Sequence, residues 1–205
     1  MSMMRENRLG WQAPTVLLPA QPRGHTACFV EIGPGRGDFL FHLARTHPAV
    51  HIIGIEIKTR RFITLCHRRG TLDNVSLLLG DARMILPSLQ HEAPVQRIYI
   101  NFPDPWPKRR HAPRRLMQPH MLTLLADTLA SDGTLYFTTD VHDYAEEVAR
   151  VIADEPRLQS CHTPAIRTGG VDTFPTYFAQ KWIAAGRTIY SQHYRRQALS
   201  GADEA

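Results

Sequence analysis

One stretch of sequence decides the fold: Thr26-Ala-Cys-Phe-Val-Glu-Ile-Gly-Pro-Gly-Arg-Gly-Asp38. Its first seven residues form a short apolar run rich in residues that favour β-strands. Three glycines follow at alternate positions, and they let the backbone turn sharply and approach a ligand closely. Residues 38–45 then have the apolar spacing of an α-helix. A strand, a glycine loop and a helix in this order predict the first unit of an α/β sheet.

The alternation of strand and helix continues along the chain. Four more apolar runs are predicted as strands, at residues 50–56, 74–79, 97–102 and 134–139. Four more helices are predicted at residues 58–69, 82–89, 114–130 and 143–153. Unbroken apolar runs are typical of parallel strands that are covered on both faces. With two late β-like segments, at residues 161–166 and 187–194, they predict a doubly wound, mostly parallel α/β sheet of seven strands.

Length and composition favour one globular domain. The chain has 205 residues, of which 43% are hydrophobic, and its net charge is +5. Residues 1–25 lack periodicity and predict an N-terminal arm, residues 26–199 a single domain, and residues 200–205 a frayed tail. No apolar run approaches the roughly 18 residues that cross a membrane, and the polar N-terminus lacks a signal-peptide core. We therefore expect a cytoplasmic protein with no membrane partner.

Acidic residues end three successive predicted strands and point to a cofactor. Glu56 can accept hydrogen bonds from ribose hydroxyls, and Asp81 from an adenine amino group. Glu31, at the start of the glycine loop, would repel a pyrophosphate and suits a cofactor with a cationic end. The Gly-x-Gly-x-Gly spacing also differs from the dinucleotide fingerprint, so S-adenosylmethionine is predicted, with S-adenosylhomocysteine as product. The predicted cofactor site further includes Gly33, Gly35, Gly37, Ala82 and Asn101.

Simpler interpretations of these residues remain open. The glycines could form a tight turn without a ligand, and Glu56 or Asp81 could each cap a helix.

The fourth predicted strand leads into a second motif, Asn101-Phe-Pro-Asp-Pro-Trp-Pro107. Its three prolines restrict the loop, so Asp104 is held where substrate meets cofactor in an open α/β sheet. Five fixed positive charges follow within eight residues, at positions 108, 109, 110, 114 and 115. Such a run is often only a solvated surface. Beside a cofactor pocket it would instead bind the phosphates of a nucleic acid whose base enters that pocket. A second basic set, on residues 58–69, is predicted to be ordinary helix surface.

Together these motifs resemble the bacterial tRNA (guanine-N7)-methyltransferases. The matching pieces are Glu31-Ile-Gly-x-Gly-x-Gly, Gly54-Ile-Glu56, Gly80-Asp81-Ala82, Asn101-Phe-Pro-Asp-Pro-Trp-Pro-Lys108, Arg110-His-x-x-Arg-Arg115 and Thr138-Thr139-Asp140. The similarity runs in register from about residue 28 to 150. It implies a Rossmann-like class I methyltransferase fold. It also implies methyl transfer from S-adenosylmethionine to N7 of a variable-loop guanine in tRNA, with no metal.

The resemblance also assigns roles to single residues. It implies that Asp104 is the catalytic carboxylate and contacts the substrate. The other substrate contacts that it implies are Lys108, Asp140 and Thr176. The implied tRNA contacts are Arg110, His111, Arg114 and Arg115.

One departure from the family pattern keeps other functions open. The late Thr-Lys-Phe-Glu of the family is Thr176-Tyr177-Phe178-Ala179 here, without the lysine and the glutamate. One alternative is an RNA-binding homologue with impaired catalysis, and another is a methyltransferase for a different RNA or for a small molecule. A nucleotide-dependent oxidoreductase is disfavoured by the glycine spacing and by Glu31. A monomer and a homodimer are equally compatible with the sequence.

Overall fold

A computed structural model of the chain describes residues 15–17, 25, 27–89, 94–168 and 176–198, with only the backbone of residues 15–17 and 109. The strands are β1 Thr15–Leu17, β2 Cys28–Ile32, β3 His51–Glu56, β4 Val75–Leu79, β5 Val95–Asn101, β6 Leu129–Thr139, β7 Leu158–Ser160, β8 Arg167–Thr168 and β9 Tyr190–Arg196. The helices are α1 Asp38–Thr46, α2 Thr59–Arg69, α3 Ala82–Leu89, α4 Pro119–Thr128, α5 His142–Ala153 and α6 Tyr177–Ala184, with a 3-10 helix at Arg109–Arg114.

The strands form one sheet in the order β1-β4-β3-β2-β5-β6-β9-β7, and β8 pairs with β9. The five strands from β4 to β6 are mutually parallel, and β9 is antiparallel to β6 and β7. The predicted seven-stranded, mostly parallel sheet is therefore confirmed, with β1 and β8 as short additions. The order reverses between β2 and β5, and the carboxyl ends of these two strands form the switch point where open α/β sheets bind ligands.

Two apolar cores, one on each face of the sheet, hold the strands in place. Successive residues of a strand point to opposite faces. In β2, Val30 packs in one core together with side chains of α3, α4 and α5. Its neighbour Phe29 packs in the other core with side chains of α1 and α2. This double cover explains why the inner strands are continuous apolar runs, and it leaves their carboxyl ends free to carry polar side chains.

The helix predicted at residues 114–130 is shorter than expected. A 3-10 helix ends at Arg114, residues 115–118 are not helical, and α4 begins at Pro119. Proline has no N–H to donate inside a helix, but it fits the first helical turn, where Pro119 lies. Pro119 therefore starts a helix instead of interrupting one.

The late strands also differ from the prediction. The strand predicted at residues 161–166 is wrong, because β7 ends at Ser160 and β8 begins at Arg167. The Ser160 hydroxyl exchanges hydrogen bonds with the backbone of His162, which forms a local turn in place of a ladder. The strand predicted at residues 187–194 corresponds to β9, which begins three residues later and ends two residues later.

The predicted arm and tail lie almost wholly outside the described residues. Of the arm, the structure describes His25 and the edge strand β1, which pairs antiparallel with β4. Residues 200–205 lie outside the described part. Over the part of the chain that the structure describes, no helix is long and apolar enough to cross a membrane.

Candidate active site

The glycine loop between β2 and α1 lies at the switch point of the sheet. The N–H of Gly33 donates to the carbonyl oxygen of Ile55 at 2.8 Å, which ties the loop to the end of β3. Gly33 and Gly37 have φ angles of 73° and 80°, which other residues rarely adopt. A Cβ added at Gly33 would meet no atom of the described residues within 4 Å, whereas one at Gly37 would lie 2.5 Å from Leu65. Gly33 therefore faces space that a ligand can enter, while Gly37 permits α1 and α2 to pack.

Glu31 points from β2 into this region and is nearly inaccessible to solvent, at 2% exposure. Its Oε1 accepts a hydrogen bond from Nδ2 of Asn101 at 3.2 Å. Its Oε2 is buried and has no partner among the described residues. Burial raises the pKa of this carboxyl from 4.5 to about 8, although the Asn101 hydrogen bond lowers it. A buried carboxyl with an unused oxygen suits a cationic ligand group, as the positive end of S-adenosylmethionine would provide.

Glu56 ends β3 and is also buried, at 2% exposure. One carboxylate oxygen accepts the N–H of Lys58 at 2.8 Å, and the other accepts the N–H of Gly35 at 3.2 Å. The first bond orients the chain that enters α2, but the N-cap residue of that helix is Lys58, which has no side-chain cap hydrogen bond, so Glu56 is not its N-cap. Each carboxylate oxygen keeps a further lone pair, so both can accept hydrogen bonds from ribose hydroxyls.

Asp81 follows β4 and faces the same cleft. Its carboxylate accepts the N–H of Arg83 at 2.9 Å and forms an ion pair with the Arg83 guanidinium. Burial acts to raise the pKa of Asp81, but the hydrogen bonds from Arg83 outweigh it, and the pKa lies below its usual value. Asp81 therefore caps the start of α3, and its ionised carboxylate remains an acceptor at the edge of the cleft.

Two adjoining cavities bring most of the predicted residues together. The larger, of about 220 Å³, is lined by Ile32, Gly33, Ile55, Glu56, Ile57, Lys58, Arg61, Gly80, Asp81, Ala82, Arg83, Asn101, Phe102, Pro103, Asp104, Trp106, Arg114, Arg115 and Leu116. The smaller, of about 50 Å³, is lined by Glu31, Gly33, Pro34, Gly35, Arg36, Asp38, Phe39, Arg61, Asn101, Phe102, Thr176, Tyr177 and Phe178. Four residues belong to both walls, so the cavities form one continuous cleft over the switch point. Neither Lys108 nor Asp140 lines it.

The loop after β5 forms one wall of the larger cavity. The N–H of Phe102 donates to the carbonyl oxygen of Thr138 at 2.8 Å, which anchors the loop to the next strand. Phe102 and Trp106 have φ angles of 50° and 42°, a strained conformation for bulky residues that is often found at functional sites. Asp104 lies between them with 69% of its side chain exposed, and one oxygen is 3.4 Å from Nζ of Lys58. The loop thus presents a carboxylate to the mouth of the cleft.

The basic run divides into an outward and an inward part. Lys108, Arg110 and Arg114 are exposed, and the guanidinium of Arg114 lies 5.2 Å from the centre of the Trp106 ring. His111 meets the edge of the same ring, with 5.8 Å between the ring centres. These side chains form a cationic rim with an aromatic centre beside Asp104.

Arg115 is different from its neighbours, because it is buried. It forms an ion pair with Glu147, and its Nε donates to the carbonyl oxygen of Pro105 at 2.8 Å. Its guanidinium also lies 4.8 Å from the centre of the Tyr144 ring. The charge of Arg115, for which the resemblance implies a tRNA contact, therefore joins the loop of Asp104 to α5 in this structure.

The late motif contributes Thr176 and two aromatic rings to the smaller cavity. The Thr176 hydroxyl accepts the N–H of Ala179 at 3.1 Å and so caps α6. Tyr177 carries the guanidinium of Arg36 4.5 Å from its ring centre. Ala179 is fully buried and does not line the cavity.

Sequence reasoning missed three arginines of this cleft. Arg61, which was predicted as ordinary helix surface, lines both cavities, Arg36 lines the smaller one and Arg83 the larger one. A signal for Arg61 was present: it lies in the first turn of α2, which contains no acidic residue. A cation at the start of a helix is unfavourable to the helix dipole, which indicates that Arg61 has a role outside the helix.

The mostly parallel sheet in this strand order, with acids at or just after the ends of β2, β3 and β4, is the fold of the class I S-adenosylmethionine-dependent methyltransferases. Solved structures agree on the fold. A mutant 16S rRNA (adenine(1408)-N(1))-methyltransferase with cosubstrate SAM, from Catenulisporales acidiphilia, has a TM-score of 0.60 at 15% identity, over 89% of this chain and 90% of that one. The 16S rRNA methyltransferase KamB has a TM-score of 0.61 at 13% identity, over 85% and 90%.

Sequence comparison identifies the family within this class. A family model described as "Putative methyltransferase" matches residues 25–192. The tRNA (guanine-N(7)-)-methyltransferase of Thiobacillus denitrificans is 37% identical over 171 residues, which cover 82% of this chain and 74% of the relative. That of Alkalilimnicola ehrlichii is 32% identical over 183 residues, covering 84% and 73%. The chain belongs to the tRNA (guanine-N7-)-methyltransferase family.

Proposed function

We propose that this protein transfers a methyl group from S-adenosylmethionine to N7 of a guanine in tRNA, in the variable loop. One observation carries the proposal beyond the family comparison. Asp104 and Trp106, from the loop that is most specific to the family, line the same cavity as Glu56 and Asp81. The cofactor acids and the loop that would receive a base therefore face one cleft.

The cofactor would be held by residues of β2, β3 and β4. Glu31, with its unpartnered oxygen, suits the cationic end, Glu56 suits the ribose hydroxyls, and Asp81 suits the adenine. Bound S-adenosylmethionine supplies a methyl group on a positively charged sulfur. Gly33 leaves space for close approach of such a ligand to the backbone.

The proposed reaction requires little proton transfer by the protein. Guanine N7 carries a lone pair and no proton. Transfer of the methyl group to this lone pair would leave the carbon–sulfur electron pair on the cofactor and would make the base positively charged, with no proton lost. No general base is required, so catalysis rests on alignment and on negative charge near the guanine. Asp104 provides that charge at the mouth of the cleft.

The RNA would approach across the cationic rim that follows Asp104. Arg110, His111 and Arg114 are suited to phosphate contacts, and Lys108 lies at the start of this rim. Trp106 offers an aromatic face among these charges. Arg115 takes no part in this surface, and we assign it to support of the loop. Asp140 and Thr176 are proposed as contacts of the guanine itself.

Transfer of a labelled methyl group to an unmodified tRNA transcript tests the proposal. The modified base is identified after nuclease digestion, and a matched transcript with adenine in place of the variable-loop guanine serves as control. We expect 7-methylguanine from the first transcript and none from the second. Label on another base, or binding of S-adenosylmethionine without transfer to tRNA, would contradict the assignment.

A further inference from the structure

Asp140 and Arg187 form an ion pair at the carboxyl edge of the sheet, 47 residues apart in sequence. Nη1 of Arg187 donates to Oδ2 of Asp140 at 2.5 Å. Only 10% of the Asp140 side chain is exposed, against 50% for Arg187. Asp140 comes directly after β6, whose Thr138 anchors the loop of Asp104. The pair therefore belongs to the same edge of the sheet as the candidate catalytic loop.

The backbone at the end of α6 fixes the position of Arg187. The N–H of Arg187 donates to the carbonyl oxygen of Trp182 at 2.9 Å, and that of Gly186 donates to Ile183 at 2.9 Å. Gly186 has a φ of 71°, as is typical of a residue that closes a helix. The guanidinium of Arg187 then lies 4.0 Å from the centre of the Trp182 ring. Backbone and ring together restrict the arginine, so it can hold Asp140 in one orientation.

Helix α6 carries no carboxylate of its own. Ala179, near its start, is fully buried and lies outside the cavity wall. A guanine in the cleft presents N–H donors on its Watson–Crick edge, and such an edge is read by fixed acceptors. Asp140, which Arg187 holds beside the end of α6, lies outside this wall as well, and its carboxylate can offer such an acceptor to a base that extends beyond the cleft.

We propose that Arg187 is a positioning residue, which fixes the Asp140 carboxylate as the acceptor for the donor edge of the target guanine. Oδ2 accepts from the arginine, and among the described residues no hydrogen bond to Oδ1 is found, so Oδ1 is the oxygen assigned to the base. This inference rests on the proposed function, since it names a further residue for the same substrate. Because 50% of the Arg187 side chain is exposed, a rival role is a direct contact with an RNA phosphate.

A double-mutant cycle separates the two roles. The variants are Arg187→Gln, Asp140→Asn, the double variant and the conservative Arg187→Lys, with the exposed Arg150→Gln of α5 as matched control. For each, kcat and KM for tRNA, cofactor affinity and salt dependence of tRNA binding are measured. If Arg187 acts through Asp140, each single variant loses roughly 10- to 100-fold in kcat/KM, and the double variant loses no more than the worse single one.

Further measurements distinguish a positioning role of Arg187 from a phosphate contact. Arg187→Lys should recover part of the activity, and cofactor affinity should stay unchanged in every variant. Losses that multiply in the double variant, or a shallower salt dependence for Arg187→Gln alone, would overturn the positioning role in favour of a phosphate contact. A wild-type protein that binds S-adenosylmethionine but leaves tRNA unmethylated would overturn the proposed function as well. An active wild type with multiplying losses overturns only the role of Arg187.

Discussion

Nδ2 of Asn101 donates to Oε1 of Glu31 at 3.2 Å, across the switch point between β5 and β2, while Oε2 of the same carboxyl has no partner among the described residues. The pKa of this carboxyl is raised to about 8 by burial. At neutral pH the ligand-free protein therefore holds a neutral Glu31. A cationic cofactor would favour the ionised form. Ionisation of Glu31 should therefore lower the stability of the ligand-free protein but strengthen cofactor binding.

The first prediction concerns stability. The unfolded chain releases the Glu31 proton near a pKa of 4.5, and the folded protein keeps it to about 8. The unfolded state binds fewer protons in this window, so the contribution of Glu31 to the free energy of unfolding falls as pH rises, by roughly a few kcal/mol. Glu31→Gln removes this contribution. Its melting temperature relative to wild type should therefore increase from about pH 5 to about pH 8; a constant difference would contradict the shift.

The second prediction concerns cofactor binding by the same variant. Because ionised Glu31 would pair with the cationic ligand, binding to wild type should release a proton and tighten from about pH 6 to about pH 7.5. Glu31→Gln should bind more weakly, without this pH dependence. Calorimetric titration in two buffers with different ionisation enthalpies counts the released protons. Equal affinity of both proteins across the range would show that Glu31 does not face the cofactor.

The third prediction separates chemistry from binding at Asp104. Asp104→Asn keeps the size of the side chain and its loop but removes the negative charge. We expect kcat for tRNA methylation to fall on the order of 100-fold or more, because charge stabilisation near the guanine is lost. Cofactor affinity should change little, since Glu31, Glu56 and Asp81 are untouched. Lys58→Met is the control for the Lys58–Asp104 contact, and an Asp104→Asn protein with normal kcat would remove Asp104 from the mechanism.

The fourth prediction contrasts two adjacent arginines. Arg114→Ala should leave the melting temperature unchanged, weaken tRNA binding and lower its salt slope by about one ion, as for a lost phosphate contact. Arg115→Ala strands Glu147 and should cost about 3 kcal/mol, which lowers the melting temperature by roughly 10 °C in a chain of this size. Thermal denaturation and binding at several salt concentrations distinguish the two. Equal stability of both variants would contradict the inward placement of Arg115.

Arg114 and Arg115 also show which parts of the candidate site could be predicted from the sequence. The five parallel strands, the glycine loop and the acids at strand ends are local patterns, and the structure has each of them close to its predicted position. The inward turn of Arg115 depends on Glu147, 32 residues further on. The Asp140–Arg187 pair likewise joins two segments with no shared local pattern. Pro119 is the exception, because its preference for a first helical turn could have predicted the true start of α4.

The last prediction uses two glycines of the loop, one facing the cleft and one facing the core. Gly33→Ala should cost about 1–2 kcal/mol for its positive φ and keep the fold, because an added Cβ meets no atom within 4 Å in the part of the chain that the structure describes. Its methyl group would occupy space that the cofactor needs, so affinity for S-adenosylmethionine should drop sharply.

Gly37→Ala adds overpacking to the same backbone strain, since its Cβ would lie 2.5 Å from Leu65 and 2.6 Å from Phe41. We expect a loss of stability larger than that of Gly33→Ala by about 1–3 kcal/mol. Chemical denaturation gives the free energy of unfolding of each variant, and titration gives its cofactor affinity. Gly37→Ala should be the less stable variant, and Gly33→Ala should bind the cofactor more weakly per folded molecule. Should Gly33→Ala bind S-adenosylmethionine as wild type does, the open space at Gly33 would not be the cofactor's approach to the backbone.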